Sequence, residues 1–141
     1  MSRSVTTDAA PQPIGPYSQA IIASGEAIYT SGMIGLDPVS KDLASGGIAA
    51  ETERCLANLA AVLEAAGATL AEVVKTTVFL VDMGEFAAMN AVYERFFPET
   101  PPARTTVAVK ELPRGARVEI DAIAVRGGGG HSGPFWTTSL K

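Results

Sequence analysis

Two strand-like runs limit the folds that are open to this chain. The segments "TTVFLV" within 73–81 and "IDAIAV" within 117–125 are rich in β-branched residues and place apolar side chains at both odd and even positions. Because successive side chains of a strand point to opposite faces, the sheet that contains these strands needs an apolar cover on each face. This requirement constrains the architecture more than any other feature of the sequence.

Hydrophobic periodicity predicts five strands. Segments 19–24 and 27–35 are separated by a Gly-Glu pair and predict an opening hairpin. A single strand is predicted over 73–81. Segments 105–110 and 117–125 are joined by "ELPRGA", whose Pro and Gly favour a turn, and they predict a second strand pair.

Two helices are predicted between these strands. Residues 48–66 carry apolar side chains near helical spacing, and Gly67 follows as a stop signal. A second apolar stripe ends before Pro98, which cannot continue a helix. This stripe consists of Phe86, Met89, Tyr93 and Phe97. The predicted order is β-β-α-β-α-β-β, which belongs to the α+β class.

This set of elements also predicts assembly. Two helices can cover one face of a small sheet, and the sequence predicts no third helix for the other face. We therefore expect a homo-oligomer whose uncovered faces pack together, with clefts between subunits where sites tend to form. The alternative is a monomer with a sparsely covered second face.

Composition excludes several classes of protein. The 141 residues, 47% hydrophobic and 18% charged, predict one globular domain over 1–126. No continuously apolar run approaches the ~18 residues of a membrane span. With a net charge of −4 and no lysine or arginine cluster, the chain is not expected to bind nucleic acid. A small molecule is therefore the expected partner. The N-terminal residues lack the apolar core of a signal peptide, so we expect a cytoplasmic protein.

The counts of cysteine and histidine limit the chemistry. Cys55 is the only thiol and His131 the only imidazole, so neither an internal disulfide nor a usual zinc site is expected. We expect no metal and no other cofactor. His131 lies outside every periodic segment, which argues against nucleophile activation by histidine. Cys55, on the first predicted helix, is interpreted as a small buried core residue.

Six ordered segments between residues 5 and 126 resemble one family. They read "IGPYSQA", "YTSGMIGLDP", "VVKTTVFLVDM", "MNAVYERFFP", "PPARTTV" and "VEIDAIAV". This combination is similar to the RidA/YjgF reactive intermediate deaminases. The resemblance implies a chorismate-mutase-like α+β fold, with two helices on one face of one sheet, and a homotrimer with sites at the subunit interfaces. It also implies 2-iminobutanoate/2-iminopropanoate deaminase activity, which hydrolyses enamines or imines such as 2-aminoacrylate to 2-keto acids and ammonia.

Arg104 occupies the place of the arginine that marks the deaminating members of this family, within "PAR". A planar, permanently charged guanidinium can hold a carboxylate with two parallel hydrogen bonds and so fix the imine carbon for attack by water. The resemblance therefore implies that Arg104 binds the substrate carboxylate. The alternative for Arg104 is an interface salt bridge.

Glu119 lies between Val118 and Ile120, where a buried carboxylate must find partners or take up a proton. By the resemblance, Glu119 holds the attacking water. A carboxylate in that position can also act as general base and then as general acid. The alternative is an ion pair with Arg117 or another basic group on an exposed face, because Arg117, Glu119 and Asp121 share one side of the strand.

Four further residues resemble the substrate site of the family: Tyr17, Ser31, Gly32 and Asn90. By the resemblance, Tyr17 lies against the substrate, Ser31 and Gly32 mark the site segment of the second strand, and the Asn90 amide points into the pocket. Gly32 would permit close approach of the backbone. The alternatives are a capping aromatic ring for Tyr17, a tight strand end for Ser31 and Gly32, and an exposed polar residue for Asn90.

Thr106 departs from the family pattern, since many bacterial relatives carry a cysteine two positions after the arginine. A nucleophilic cysteine is therefore absent from this position. Hydrolysis by Arg104, Glu119 and water needs no thiolate, and we expect Thr106 to contribute a hydroxyl hydrogen bond to substrate binding. Met33, in the second predicted strand, is interpreted as a core residue.

The ending "RGGGGHSGPFWTTSLK" is interpreted as a Gly-rich tail over 127–141, either a natural appendage or an expression scar.

Two other classes of function stay open. One is a small-ligand-binding or chaperone-like trimer without turnover. The other is a translation inhibitor with ribonuclease activity, against which the low pI of about 4.9 argues.

Overall fold

The computed structural model describes residues 2–127, which form seven strands and two α-helices. The helices are α1 (Gly47–Ala65) and α2 (Phe86–Phe96). The strands are β1 (Ser2–Val5), β2 (Ala20–Ala23), β3 (Gly25–Tyr29), β4 (Met33–Ile34), β5 (Val73–Leu80), β6 (Ala103–Ala108) and β7 (Val118–Gly127). Except for Gly127, the predicted tail lies outside the described residues. Among the described helices, none is long and apolar enough to cross a bilayer.

The main sheet has the strand order β3-β7-β5-β6, and β4 also pairs with β7. β5 and β6 are parallel, whereas β7 is antiparallel to β3, β4 and β5. β1 and β2 form a separate two-stranded sheet. The predicted α+β class, with one main sheet and two helices on one face, is confirmed.

Both predicted strand pairings are wrong. β2 and β3 are separated by Ser24 alone, which leaves no room for the two residues of even the tightest hairpin turn. β6 and β7 lie on opposite sides of β5 instead of beside each other. Their connection crosses the end of β5, because Val109 N donates to Leu80 O (2.8 Å) and Val81 N donates to Arg117 O (3.2 Å).

The helix predictions agree closely with the structure. α1 begins and ends one residue before the predicted bounds of 48 and 66, and Gly67 follows it with a φ of +82°. The Ala68 N–H donates to the Leu63 carbonyl (2.8 Å) beyond this turn. Met33 packs against the main core, as predicted.

The two faces of the main sheet differ in their cover. The buried side chains of both helices pack in one cluster with alternate residues of β5 and β7. The strand residues of this cluster are Val73, Val78, Leu80, Val118, Ile120, Ala122 and Ala124. The residues between them on β7, among them Glu119 and Asp121, point to the opposite face and are only half-buried. We call this second side the open face.

Cys55 is fully buried on α1, and its thiol donates to the Val118 carbonyl (3.7 Å). Burial, together with the charge of Glu51, raises the pKa of the Cys55 thiol from 9.0 to about 12. The folded state therefore binds the thiol proton more tightly than the unfolded state does, and this difference stabilises the fold. The stabilisation is complete below pH 9 and is lost as the pH rises from about 9 towards 12.

We therefore expect the folded protein to react with a disulfide reagent at pH 8 at least ~100-fold more slowly than the urea-unfolded protein. The free energy of unfolding should fall between pH 8 and pH 10, and should fall less in a Cys55→Ala variant. Reagent labelling and urea titrations at the two pH values measure these quantities. Labelling of the folded protein at the rate of the unfolded chain would contradict the burial of this thiol.

Candidate functional site

Arg104 is the charged centre of the site on the helix-covered face. It lies on β6 and is paired in register with Thr76 of β5. Its Cζ atom lies 5.3 Å from the ring centroid of Tyr17, 5.5 Å from that of Phe86 and 4.9 Å from that of Tyr93. Three aromatic rings thus surround the guanidinium at distances typical of cation–π contacts.

One stripe of α2 supplies most of these contacts. Phe86, Asn90 and Tyr93 are spaced i, i+4 and i+7, so they share one helix face. Arg104 Nη1 donates a hydrogen bond to Asn90 Oδ1 at 2.8 Å. The structure thus brings Asn90 to Arg104, where its amide oxygen fixes one end of the guanidinium.

The segment before β2 closes the other side of the guanidinium. Its Ser18 N–H donates to the Pro102 carbonyl (3.1 Å), next to β6. A Cβ atom at Gly15 would lie 3.2 Å from Arg104 Nη2 and 3.3 Å from Asn90 Nδ2. A glycine at this position therefore lets the backbone lie directly against the charged group.

A cavity of about 420 Å³ opens beside Arg104. Its lining consists of Ile14, Tyr17, Met83, Phe86, Arg104 and Thr106. The Thr106 Oγ1 atom is buried and has no hydrogen-bond partner among the described residues. The cavity therefore has apolar walls, one cation and one unpaired hydroxyl, a pattern typical of a pocket for a small ligand.

The charge of Arg104 is not neutralised within residues 2–127, where none of the ion pairs includes it. Burial lowers the pKa of the Arg104 guanidinium, and the neighbouring Tyr93 and Tyr17 act in the opposite direction. An arginine remains charged under these conditions. A partly desolvated guanidinium that faces a cavity favours an anion as its ligand.

Glu119 lies on the other side of the sheet. It is paired in register with Phe79 and Ile34, and alternation along β5 and β7 places it on the open face. Its carboxylate packs against the backbone of Gly32, where a Cβ atom would lie 2.8 Å from the carboxyl carbon. Arg104 and Glu119 of one chain are therefore separated by the sheet.

The alternative ion pair of Glu119 with Arg117 does not form among residues 2–127. Arg117 Nη1 instead lies 2.8 Å from Glu85 Oε2, and its Nε lies 3.9 Å from Glu51 Oε2. Among the ion pairs of residues 2–127, none includes Glu119.

The predicted site residues form two groups. Arg104, Thr106, Tyr17 and Asn90 meet on the helix-covered face. Glu119 and Gly32 meet on the open face, and Ser31 is exposed immediately before Gly32.

Comparison with known proteins gives the family. The protein-family model described as Endoribonuclease L-PSP matches residues 7–126. The chain belongs to this family, the RidA/YjgF family. It is 44% identical over 138 residues to a human protein named 2-iminobutanoate/2-iminopropanoate deaminase, covering 98% of this chain and 96% of the relative. It is 49% identical over 124 residues to protein DfrA of Myxococcus xanthus, and the match covers 87% of this chain and 95% of that protein.

Solved structures of RidA/YjgF proteins share the fold. The YjgF gene product of E. coli is 42% identical, with a TM-score of 0.70, and the match covers 89% of this chain and 99% of that structure. RidA from an Antarctic Psychrobacter is 40% identical, also with a TM-score of 0.70, and the match covers 88% of this chain and 99% of that structure.

Sequence reasoning missed part of the site of this RidA/YjgF chain. Phe86 and Tyr93 were assigned to a core stripe, although both rings contact Arg104. Ile14 and Met83, which line the cavity, were not predicted at all. A usable signal was the i, i+4, i+7 spacing of Phe86, Asn90 and Tyr93, because a polar residue within an aromatic stripe indicates a buried polar partner.

Proposed function

We propose that this chain is a 2-iminobutanoate/2-iminopropanoate deaminase that hydrolyses small enamines and imines, such as 2-aminoacrylate, to 2-keto acids and ammonia. The observation that carries this proposal is the Arg104 guanidinium, which forms no ion pair within residues 2–127 and lies beside a cavity of about 420 Å³. These substrates carry a carboxylate and a short apolar side chain, which match the cation and the apolar walls. The name of the human relative at 44% identity supports the same activity.

Substrate binding follows from the lining of the cavity. Arg104 forms a bidentate pair with the substrate carboxylate, while Asn90 holds the far side of the guanidinium. The Thr106 hydroxyl, which lacks a partner in the described chain, donates to a substrate oxygen or nitrogen. Tyr17 covers the bound molecule from the side of the N-terminal segment.

Two subunits are required for a complete site, because Arg104 and Glu119 of one chain lie on opposite faces of the sheet. We infer a homotrimer in which the open faces pack together and Arg104 of one subunit meets Glu119 of the partner subunit. The half-buried apolar side chains of the open face, including Phe79, Ile123 and Val125, support this assembly. Ser31 and Gly32 would then border the site from the same side as Glu119.

The reaction needs only water and this carboxylate. The partner subunit's Glu119 takes a proton from water as the water oxygen bonds to the imine carbon and the C=N electrons move to nitrogen. Glu119 then gives this proton to the amine nitrogen. The C–N bond breaks as the oxygen forms a carbonyl, and the hydroxyl proton passes through Glu119 to the departing ammonia. Arg104 stabilises the carboxylate throughout and holds the carbon in place.

The name of the family model raises ribonuclease activity as a second candidate. The net charge of −4 and the pI of about 4.9 oppose the binding of a phosphate backbone. Binding to single-stranded RNA at low salt tests this candidate, and we expect none.

A coupled assay tests the proposed function. A serine or threonine dehydratase generates the imine, semicarbazide competes for it, and release of the 2-keto acid is followed with and without this protein. We expect the protein to restore 2-keto acid release in the presence of semicarbazide. If semicarbazide trapping is unchanged while the protein remains a folded oligomer, the deaminase proposal fails for these substrates.

A further inference from the structure

A second pair of residues lies behind the aromatic contacts of Arg104. The Thr76 and Tyr93 hydroxyl oxygens lie 2.7 Å apart, within hydrogen-bond distance. The two residues are 1% and 0% exposed, respectively. This hydrogen bond joins two buried side-chain hydroxyls, and leaving either one unpaired would be costly.

The strand register places this pair directly at Arg104. Thr76 of β5 is the register partner of Arg104 on β6, and both side chains point to the helix-covered face. Tyr93 comes from α2 and has the shortest ring distance to the guanidinium, 4.9 Å. The hydrogen bond to Thr76 therefore ties the tip of the Tyr93 ring to the strand beside the one that carries Arg104.

The Tyr93 ring is held in other ways as well. Its centroid lies 4.7 Å from that of Phe97, with the rings inclined at 39°. Burial raises the pKa of the Tyr93 hydroxyl to about 12, although the bond to Thr76 and the charge of Arg104 act against this shift. The phenol is thus neutral at neutral pH and does not compete with an anionic ligand for the guanidinium.

We propose that Tyr93 and Thr76 are positioning residues, which hold the Arg104 guanidinium in the orientation that grips a substrate carboxylate. Tyr93 provides a neutral aromatic surface against one side of the guanidinium, and Thr76 fixes the angle of that ring. Asn90 sets the rotation of the guanidinium through its hydrogen bond to Nη1. This inference rests on the proposed function, because it assigns the pair a role in binding the carboxylate.

Three variants separate positioning from a purely structural role: Tyr93→Phe, Thr76→Val and the double variant. Each single change leaves one buried hydroxyl unpaired, whereas the double change removes both. The melting temperature should fall in each single variant and recover in the double variant. The KM for imine, supplied at graded rates by an amino-acid oxidase, should rise about 5-fold in all three, with kcat within about 2-fold of wild type.

Thr100→Val is the matched control, since it removes the hydroxyl of an exposed threonine. It should leave both KM and melting temperature as in wild type. If KM recovers together with the melting temperature in the double variant, or stays at the wild-type value in all three, the positioning role is wrong.

The NMR signal of the Arg104 Nε–H group separates this inference from the deaminase proposal. Nearby rings shift this signal in wild type. The signal should move in Tyr93→Phe, because the ring remains but its angle to the guanidinium is no longer fixed by Thr76. If the wild type does not hydrolyse imines but the Arg104 signal moves in Tyr93→Phe, the deaminase proposal alone is refuted. A signal that is unchanged by Tyr93→Phe would refute the positioning role, even if the wild type is active.

Discussion

Replacing Arg104 with alanine is expected to lower kcat/KM for imine hydrolysis about 100- to 10,000-fold, since two charge-assisted hydrogen bonds to the substrate carboxylate are lost. Within residues 2–127, no other cation lines the cavity, so no neighbouring side chain can substitute. The loss should appear in both KM and kcat, because the carboxylate pair also fixes the carbon for attack. The semicarbazide competition assay measures this change.

Two variants serve as controls for this result. Arg104→Lys keeps the charge but lacks the fork that fits a carboxylate, and it should retain an intermediate rate, about 10- to 100-fold below wild type. Arg95→Ala removes an arginine that is 61% exposed and pairs with Glu53 on the surface, and it should have no effect. An Arg104→Ala variant within about 3-fold of the wild-type kcat/KM would remove the carboxylate clamp from the mechanism.

The sequence predicted the elements of the fold better than their pairing. Helix α1 was predicted to within a residue at each end, because its apolar spacing and Gly67 are local signals. β1 was missed because "SRSV" has no apolar alternation, and its partner β2 is distant in the sequence. Strand pairing depends on partners far apart in the chain, as when β7 pairs with β3, β4 and β5. Local turn signals therefore gave the wrong neighbours for β2 and β6.

The same limit applies to the site. Alternation along a strand indicates which residues share a face, but only the register of β5 with β6 and β7 relates Arg104 to Glu119. That register separates them, so two residues expected to serve one reaction lie on different sides of the sheet. The proposed oligomer, inferred from apolar residues on both faces, and the proposed division of the site between subunits thus have the same structural origin.

The sequence did not predict the aromatic rings around Arg104 for a different reason. Aromatic residues at helical spacing predict a core face, and Tyr93 is indeed fully buried in the core. The same ring also contacts the guanidinium, so one side chain packs in the core and lies against the residue proposed to bind the carboxylate. A pattern of apolar residues cannot reveal this second contact, because it depends on where β6 passes α2.

Glu119→Gln is expected to lower kcat about 100- to 1,000-fold with little change in KM, because the amide keeps the shape of the side chain but cannot accept the proton of water. Glu53→Gln, a change at a side chain that is 61% exposed, should leave kcat unchanged. Gly32→Ala should also lower kcat while the protein stays folded. Its Cβ atom would collide with the Glu119 carboxylate, which is the mobile end of a side chain and can move away.

Mixing two inactive variants tests whether the site is shared between subunits. Arg104→Ala and Glu119→Gln chains, unfolded together at equal ratio and refolded, should regain about one quarter of the wild-type activity, since random assembly pairs an intact Arg104 with an intact Glu119 at that frequency. Differently tagged chains show by co-purification that mixed oligomers have formed. Mixed oligomers without regained activity would contradict a site built from two subunits. Recovery near one quarter would require that Arg104 and Glu119 act across the interface, as their positions on opposite faces of one sheet predict.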